Sequence, residues 1–99
     1  MIYRLVKMKF QEGKDSEFIV LFDASKEFIR SFQGCHGLEL LKDSTDKRTF
    51  FTLSKWDSES DLENYRSSPF FKTTWSKAKE LFEEKAMAWT LSGVVPSMK

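Results

Sequence analysis

The sequence predicts one small α+β domain whose elements follow one another as β-α-β-β-α(α)-β. Three observations carry this. Apolar residues recur at every second position in stretches near residues 2–11, 36–43, 47–56 and 85–94. Between them, near residues 15–33 and 58–82, the spacing turns helical. The 99 residues suffice for one domain, and a 40% hydrophobic share is enough to form a core rather than a disordered chain. This order is the split β-α-β, ferredoxin-like plan: a four-stranded antiparallel sheet with helices on one face.

The first strand is expected from Ile2 to about Gln11. Ile2, Arg4, Val6, Met8 and Phe10 share one face, while Tyr3, Leu5, Lys7 and Lys9 share the other. Gly13 breaks it, and Asp15 or Ser16 is the expected N-cap of a helix reaching to about Gln33. Phe18, Phe22, Ser25, Ile29 and Phe32 form its inward stripe, and Gly34 suits the left-handed residue that ends it. His36 to Asp43 and Lys47 to Trp56 read as a hairpin around the polar turn Ser44-Thr45-Asp46. Ser58 and Asp61 mark a short helix with a capping-box variant, ending near Ser67. Ser68 and Pro69 restart a helix as N-cap and first residue, with Phe71, Trp75, Ala78 and Phe82 inward. A last strand is expected from about Lys85 to Val94, placing Met87, Trp89 and Leu91 on one face. The domain spans residues 1–99 with a core of about 2–94, and 95–99 are expected to be a loose tail.

Helices cover only one side of such a sheet. Yet neighbouring strand positions are both apolar at Leu5-Val6, Leu40-Leu41 and Phe50-Phe51, so both faces are apolar. A sheet with one wet face alternates more cleanly. The open face is therefore expected to be covered by a second copy, giving a homodimer.

Charge excludes several roles. Sixteen basic and fifteen acidic residues leave a net of +1, so no field of one sign draws in nucleic acid or an anionic membrane. One cysteine, Cys35, and one histidine, His36, exclude an internal disulfide and a multi-histidine metal site within one chain. Met1-Ile2-Tyr3-Arg4 enters a strand at once without a leader pattern, and no apolar run reaches membrane-spanning length. The expected location is the cytoplasm. Aromatic content is high, with ten Phe, three Trp and two Tyr. Such rings fill a core or line a pocket for an aromatic ligand.

Two segments carry a family resemblance. Gly34-Cys35-His36-Gly37-Leu38-Glu39-Leu40 opens the second strand with a Gly-Cys-x-Gly pattern. From Phe50 to Lys72 a strand ends in Trp56, then Asp57-Ser58-Glu59-Ser60-Asp61-Leu62 runs into Glu63-Asn64-Tyr65-Arg66-Ser67-Ser68-Pro69-Phe70-Phe71. This resembles the antibiotic biosynthesis monooxygenase family over about residues 2–94. The resemblance implies a dimeric α+β barrel with a pocket between sheet and helices in each copy. It also implies oxidation of a small aromatic or quinol-type molecule by O₂ with no cofactor and no metal. A non-catalytic ligand-binding or structural dimer on the same scaffold is the alternative. Haem-degrading relatives carry an iron-ligating His about where Trp75 stands, a Trp at the position of Tyr65 and an Asn near Val6, so their triad is absent. The family pattern often has His near the positions of Tyr65 and Phe70, and neither is His here.

Candidate site residues follow. By the resemblance, Tyr65 faces the pocket, where its phenol would hydrogen-bond a substrate oxygen; packing on Leu62 and Pro69 is its other reading. His36 is the default base, because its side chain alone titrates near neutrality; an exposed turn histidine is the alternative. Trp75 and Trp89 are candidate substrate-binding walls, against core packing for the first and a dimer interface for the second. Arg4 and Arg48 sit at strand positions that could point inward, and Arg48 is the one assigned to substrate binding; a rim ion pair is its alternative. Asn64 is a candidate oxyanion donor, with solvent as its alternative. Cys35 reads as a small filler and Trp56 as a structural residue at the strand-to-helix corner.

Overall fold

The computed structural model describes residues 1–94, and the tail expected at 95–99 lies outside the described residues. Strands β1 (Ile2–Lys9), β2 (Cys35–Lys42), β3 (Thr49–Trp56) and β4 (Met87–Ser92) form one sheet in the order β2-β3-β1-β4. All three pairings are antiparallel. Helices α1 (Asp15–Arg30), α2 (Glu59–Arg66) and α3 (Pro69–Lys79) complete the chain. The expected ferredoxin-like order and its α+β class are those observed.

Period-two alternation decides which side chains meet the helices. Val6 and Met8 of β1 and Phe10 just after it point into the helix layer, and Phe10 and Met8 are almost wholly buried. The Phe10 ring stacks on Phe18 of α1 at 4.6 Å and meets Phe50 of β3 edge-on at 5.7 Å. Ala78 of α3 closes this core. At the other end of β3, Trp56 is fully buried and its Nε1–H donates to Ser54 Oγ at 2.9 Å.

Element starts and ends carry the detail. Ser58 and Ser68 are N-caps, accepting the backbone N–H of Asp61 at 3.2 Å and of Phe71 at 3.1 Å. Pro69 occupies the first turn of α3, where no N–H is needed. The expected cap of α1 is corrected: the N-cap is Lys14, in a helical conformation, and no side chain caps the helix. Asp15 and Glu17 lie in its first turn, where their charge suits the helix dipole. The helix also ends at Arg30, short of Gln33. The Ser31 N–H is shared between the carbonyls of Glu27 and Phe28, which tightens the last turn and ends the α pattern. Strand β4 begins at Met87 rather than Lys85, because Phe82 first pairs with Phe10 in an isolated bridge.

Gly13 and Gly34 both have positive φ, at +81° and +85°. Gly13 has open space around its α-carbon, whereas a β-carbon on Gly34 would run into the Asp61 side chain. Gly13→Ala is therefore expected to cost only the left-handed backbone penalty, about 1–2 kcal/mol. Gly34→Ala is expected to cost more, because Asp61 must also move. Thermal melts of the two variants compare them directly, and equal losses would show that Asp61 yields freely.

The outer face of the sheet carries Tyr3 and Leu5 of β1, Phe51 and Leu53 of β3, Leu41 of β2, and Met87, Trp89 and Leu91 of β4. The register aligns them in rows: Trp89 and Leu53 both pair with Leu5, and Leu41 pairs with Phe51. Leu41, Trp89, Leu91 and Met87 are 42%, 38%, 45% and 52% exposed. No described element packs on this face.

Candidate functional site

Between the sheet and the helices lies a cavity of about 110 Å³. Its floor comes from Arg4, Val6 and Met8 of β1 and from Thr52 and Ser54 of β3, which the register pairs as Arg4 with Ser54 and Val6 with Thr52. Its far wall is the α1 stripe, Phe18, Phe22, Ser25 and Ile29. Leu62, Tyr65 and Arg66 of α2 close one end, and Phe71, Thr74, Trp75 and Ala78 of α3 complete the roof.

Polarity is graded along this space. Arg66 is close enough to the Arg4–Ser54 row for its charge to act on Arg4, and Tyr65 lines the same space. Towards Met8, the walls are Phe18, Phe22 and Ala78. Arg4 is steadied by a hydrogen bond from its Nη1 to Thr90 Oγ1 of β4 at 2.9 Å. Burial, and next the charge of Arg66, work against the Arg4 charge, while Glu63 favours it. Arg66 Nη1 donates to Glu63 Oε2 at 3.3 Å. Two guanidinium groups thus line the cavity with one carboxylate beside them, and that carboxylate is not part of the lining.

Tyr65 is held by rings on three sides: Trp56 stacks on it at 5.2 Å, and Phe32 and Phe71 meet it edge-on at 5.1 and 5.0 Å. Burial, and then Cys35, push its phenol well above the usual range, so it remains protonated at neutral pH. It is a hydrogen-bond donor there and not a base. Trp75 lies parallel to Phe71 at 5.9 Å and edge-on to Phe82 at 5.5 Å, which fixes its indole as a wall. An indole supplies no ligand to haem iron.

Of the six residues singled out from the sequence, the cavity brings together Tyr65 and Trp75. The other four stand elsewhere. His36 is exposed in the irregularity between Cys35 and Gly37, with its Nε2 2.7 Å from Asp57 Oδ1. Arg48 lies at the opposite end of β1 from Arg4, where it pairs with Glu83 and donates to the Phe10 carbonyl. With Lys9 and Asp46, 3.2 Å apart, it ties the β2–β3 turn to the segment before β4. Asn64 is exposed, because one helical step separates it from the inward Tyr65. Trp89 lies on the outer face of the sheet, paired with Leu5. The strand residue that points into the cavity is Arg4 and not Arg48.

Sequence reasoning missed Arg66, Thr52, Ser54 and Thr74 as lining residues. A signal existed for three of them. Arg66 follows Leu62 at i+4 on the inward stripe of α2. Thr52 and Ser54 fall between the inward Phe50 and Trp56 at period two. As for metals, no three His, Cys, Asp or Glu side chains come together among the described residues. No helix among the described residues is long and apolar enough to cross a membrane.

A four-stranded antiparallel sheet roofed by three helices, enclosing a cavity lined by rings and two arginines, defines an α+β ferredoxin-like domain. The family model described as antibiotic biosynthesis monooxygenase matches residues 1–76. The chain belongs to that family.

Solved structures agree on the fold. Rv0793 from Mycobacterium tuberculosis is 18% identical with a TM-score of 0.88, covering 98% of each chain. A structure described as an antibiotic biosynthesis monooxygenase is 14% identical with a TM-score of 0.88, covering 96% of this chain and 100% of its own. A conserved protein from Methanosarcina mazei Go1 is 20% identical with a TM-score of 0.85, covering 91% of this chain and 90% of its own. No curated protein matches the chain in sequence.

Proposed function

We propose that this protein is a cofactor-independent monooxygenase that oxidises a small phenol or quinol-type ring with O₂, working as a homodimer joined through the outer sheet faces. The single observation that supports the chemistry most is the cavity itself: aromatic walls at one end and a donor-rich, positive end at Arg4, Tyr65 and Arg66. Family membership supports the same reading.

The chemistry asks little of the protein. A bound phenol loses its proton, and the phenolate passes one electron to O₂. The resulting ring radical and superoxide then join at a ring carbon that carries hydrogen, ortho or para to the phenolate oxygen, and a proton completes a hydroperoxide. Loss of the hydrogen on that carbon, with cleavage of the O–O bond, leaves a quinone and one water. One oxygen atom of O₂ enters the ring and the other leaves as water, so no further reductant is needed. The protonated Tyr65 hydroxyl donates to the oxygen that becomes anionic, and the two guanidinium groups stabilise that charge. The lining carries no carboxylate or imidazole, so the proton leaves through the mouth of the cavity to water.

That lack of a base in the lining favours a second reading, a dimer that binds a small ring without turning it over. O₂ uptake by the metal-stripped protein with hydroquinones and other single-ring phenols separates the two. The oxygenase reading expects uptake above the buffer rate, reduced about tenfold or more in Tyr65→Phe. His36→Ala is expected to leave the rate unchanged, because His36 faces Asp57 outside the cavity. Ring binding without uptake across the panel would carry the second reading.

A further inference from the structure

We infer that the ligand of this cavity is a single aromatic ring bearing a carboxylate, with the carboxylate held between Arg4 and Arg66 and the ring directed towards Met8 and Phe18. The inference rests on the cavity proposed above as the substrate site, and adds the chemical class of what fills it.

Size is the first argument. A cavity of about 110 Å³ is close to the space of about 150 Å³ that accommodates benzene in a protein core. It is scaled to one ring, whose carboxylate reaches the partly exposed Arg66, and not to a fused three-ring system.

Charge is the second. The charged side chains in the lining are Arg4 and Arg66, both positive. The charge of Arg66 opposes that of Arg4, and a single carboxylate, Glu63, both pairs with Arg66 and favours the Arg4 charge, so the group keeps one positive charge in excess. A neutral phenol would leave that repulsion in place. An anion between the two guanidinium groups relieves it and accepts charge-assisted hydrogen bonds from both.

Position is the third. Arg4 and its partner Ser54 lie at one end of the floor, and Met8, four residues on along β1, lies at the other. The polar and apolar ends of the cavity therefore lie along β1, matching an amphiphilic ring laid lengthwise. Tyr65 also lines the cavity, and its hydroxyl has no hydrogen-bond partner among the described residues, so its phenol is available to donate to the ligand.

The test is anaerobic calorimetric titration of the full chain with 2,5-dihydroxybenzoate, its neutral isostere 2,5-dihydroxybenzamide, and hydroquinone. The acid is expected to bind about tenfold or more tightly than the amide. That preference should disappear in Arg66→Gln and in Arg4→Gln, persist in Lys77→Gln on the exposed face of α3, and weaken with added salt. Arg66 is exposed at a helix end, so its variant remains informative if Arg4→Gln folds poorly. Equal binding of acid and amide, no binding of either, or a preference unaffected by Arg66→Gln would overturn the inference. The outcome is separable from the oxygenase reading. Selective binding of the acid without O₂ uptake sinks only the oxygenase, and uptake with hydroquinone without acid selectivity sinks only this inference.

Discussion

Replacing Trp56 by Ala is expected to lower the stability of the folded chain by about 3–5 kcal/mol, the range for a large aromatic removed from a core. The indole is fully buried at the corner where β3 turns into α2. It stacks on Tyr65 and donates to Ser54, so its removal opens a void beside a ring that lines the cavity. A domain of this size has about 5–15 kcal/mol of stability in all, so the loss is a large part of the whole. Urea denaturation measures it. Trp56→Phe should recover much of the loss by keeping a ring against Tyr65, while forfeiting the bond to Ser54. A Trp56→Ala midpoint within error of the parent would show that the corner does not depend on the indole.

Trp89→Glu is expected to separate the proposed homodimer while leaving each chain folded. Trp89 pairs with Leu5 on the outer face and is 38% exposed in the single chain, so a carboxylate there remains solvated in a monomer. In a face-to-face dimer the same carboxylate would be buried opposite an apolar sheet without a partner. That costs several kcal/mol for each ion, and two-fold symmetry applies the cost twice. Since 1.4 kcal/mol is tenfold in affinity, the dissociation constant should rise about a hundredfold or more. Sedimentation at micromolar concentration reads it, with far-UV circular dichroism confirming the fold. A parent protein that sediments as a folded monomer at that concentration would sink the dimer itself.

Both predictions depend on which face of the sheet a residue occupies, and the spacing of apolar residues along each strand makes that legible. The period-two rows on β1 and β3 put Val6, Met8 and Phe50 inward and Leu5 and Phe51 outward, as observed. The helix boundaries marked by serine caps and by Pro69 are equally readable, because a capping side chain and a proline act within a few residues of themselves. The start of α1 is less so. Asp15 and Ser16 are both good capping residues, yet the turn through Gly13 places Lys14 in a helical conformation and leaves the cap unmade.

The site is only partly legible. Tyr65 and Trp75 can be found because helical spacing from Leu62 and Phe71 keeps them inward. His36 stands out only as the one imidazole of the chain, and chemistry without position does not build a site: the irregularity at Cys35–Gly37 leaves it beside Asp57 and exposed to water. Arg4 and Arg48 look alike in the sequence, each a basic residue on a strand. Arg48 sits where the β2–β3 turn meets the chain leading to β4, and Glu83, distant in sequence, captures it. Arg4 sits mid-sheet under the end of α2, next to Arg66, and so lines the cavity.

Element order, the two faces of each strand, the principal caps and the family are all written in the chain itself. They follow from local spacing and steric preference, which act over a few residues. Which polar groups share one enclosed space is set at a longer range. Arg4, Thr52, Arg66 and Thr74 come from four different elements, and it is the packing of α1, α2 and α3 over β1 and β3 that brings their side chains to a single cavity.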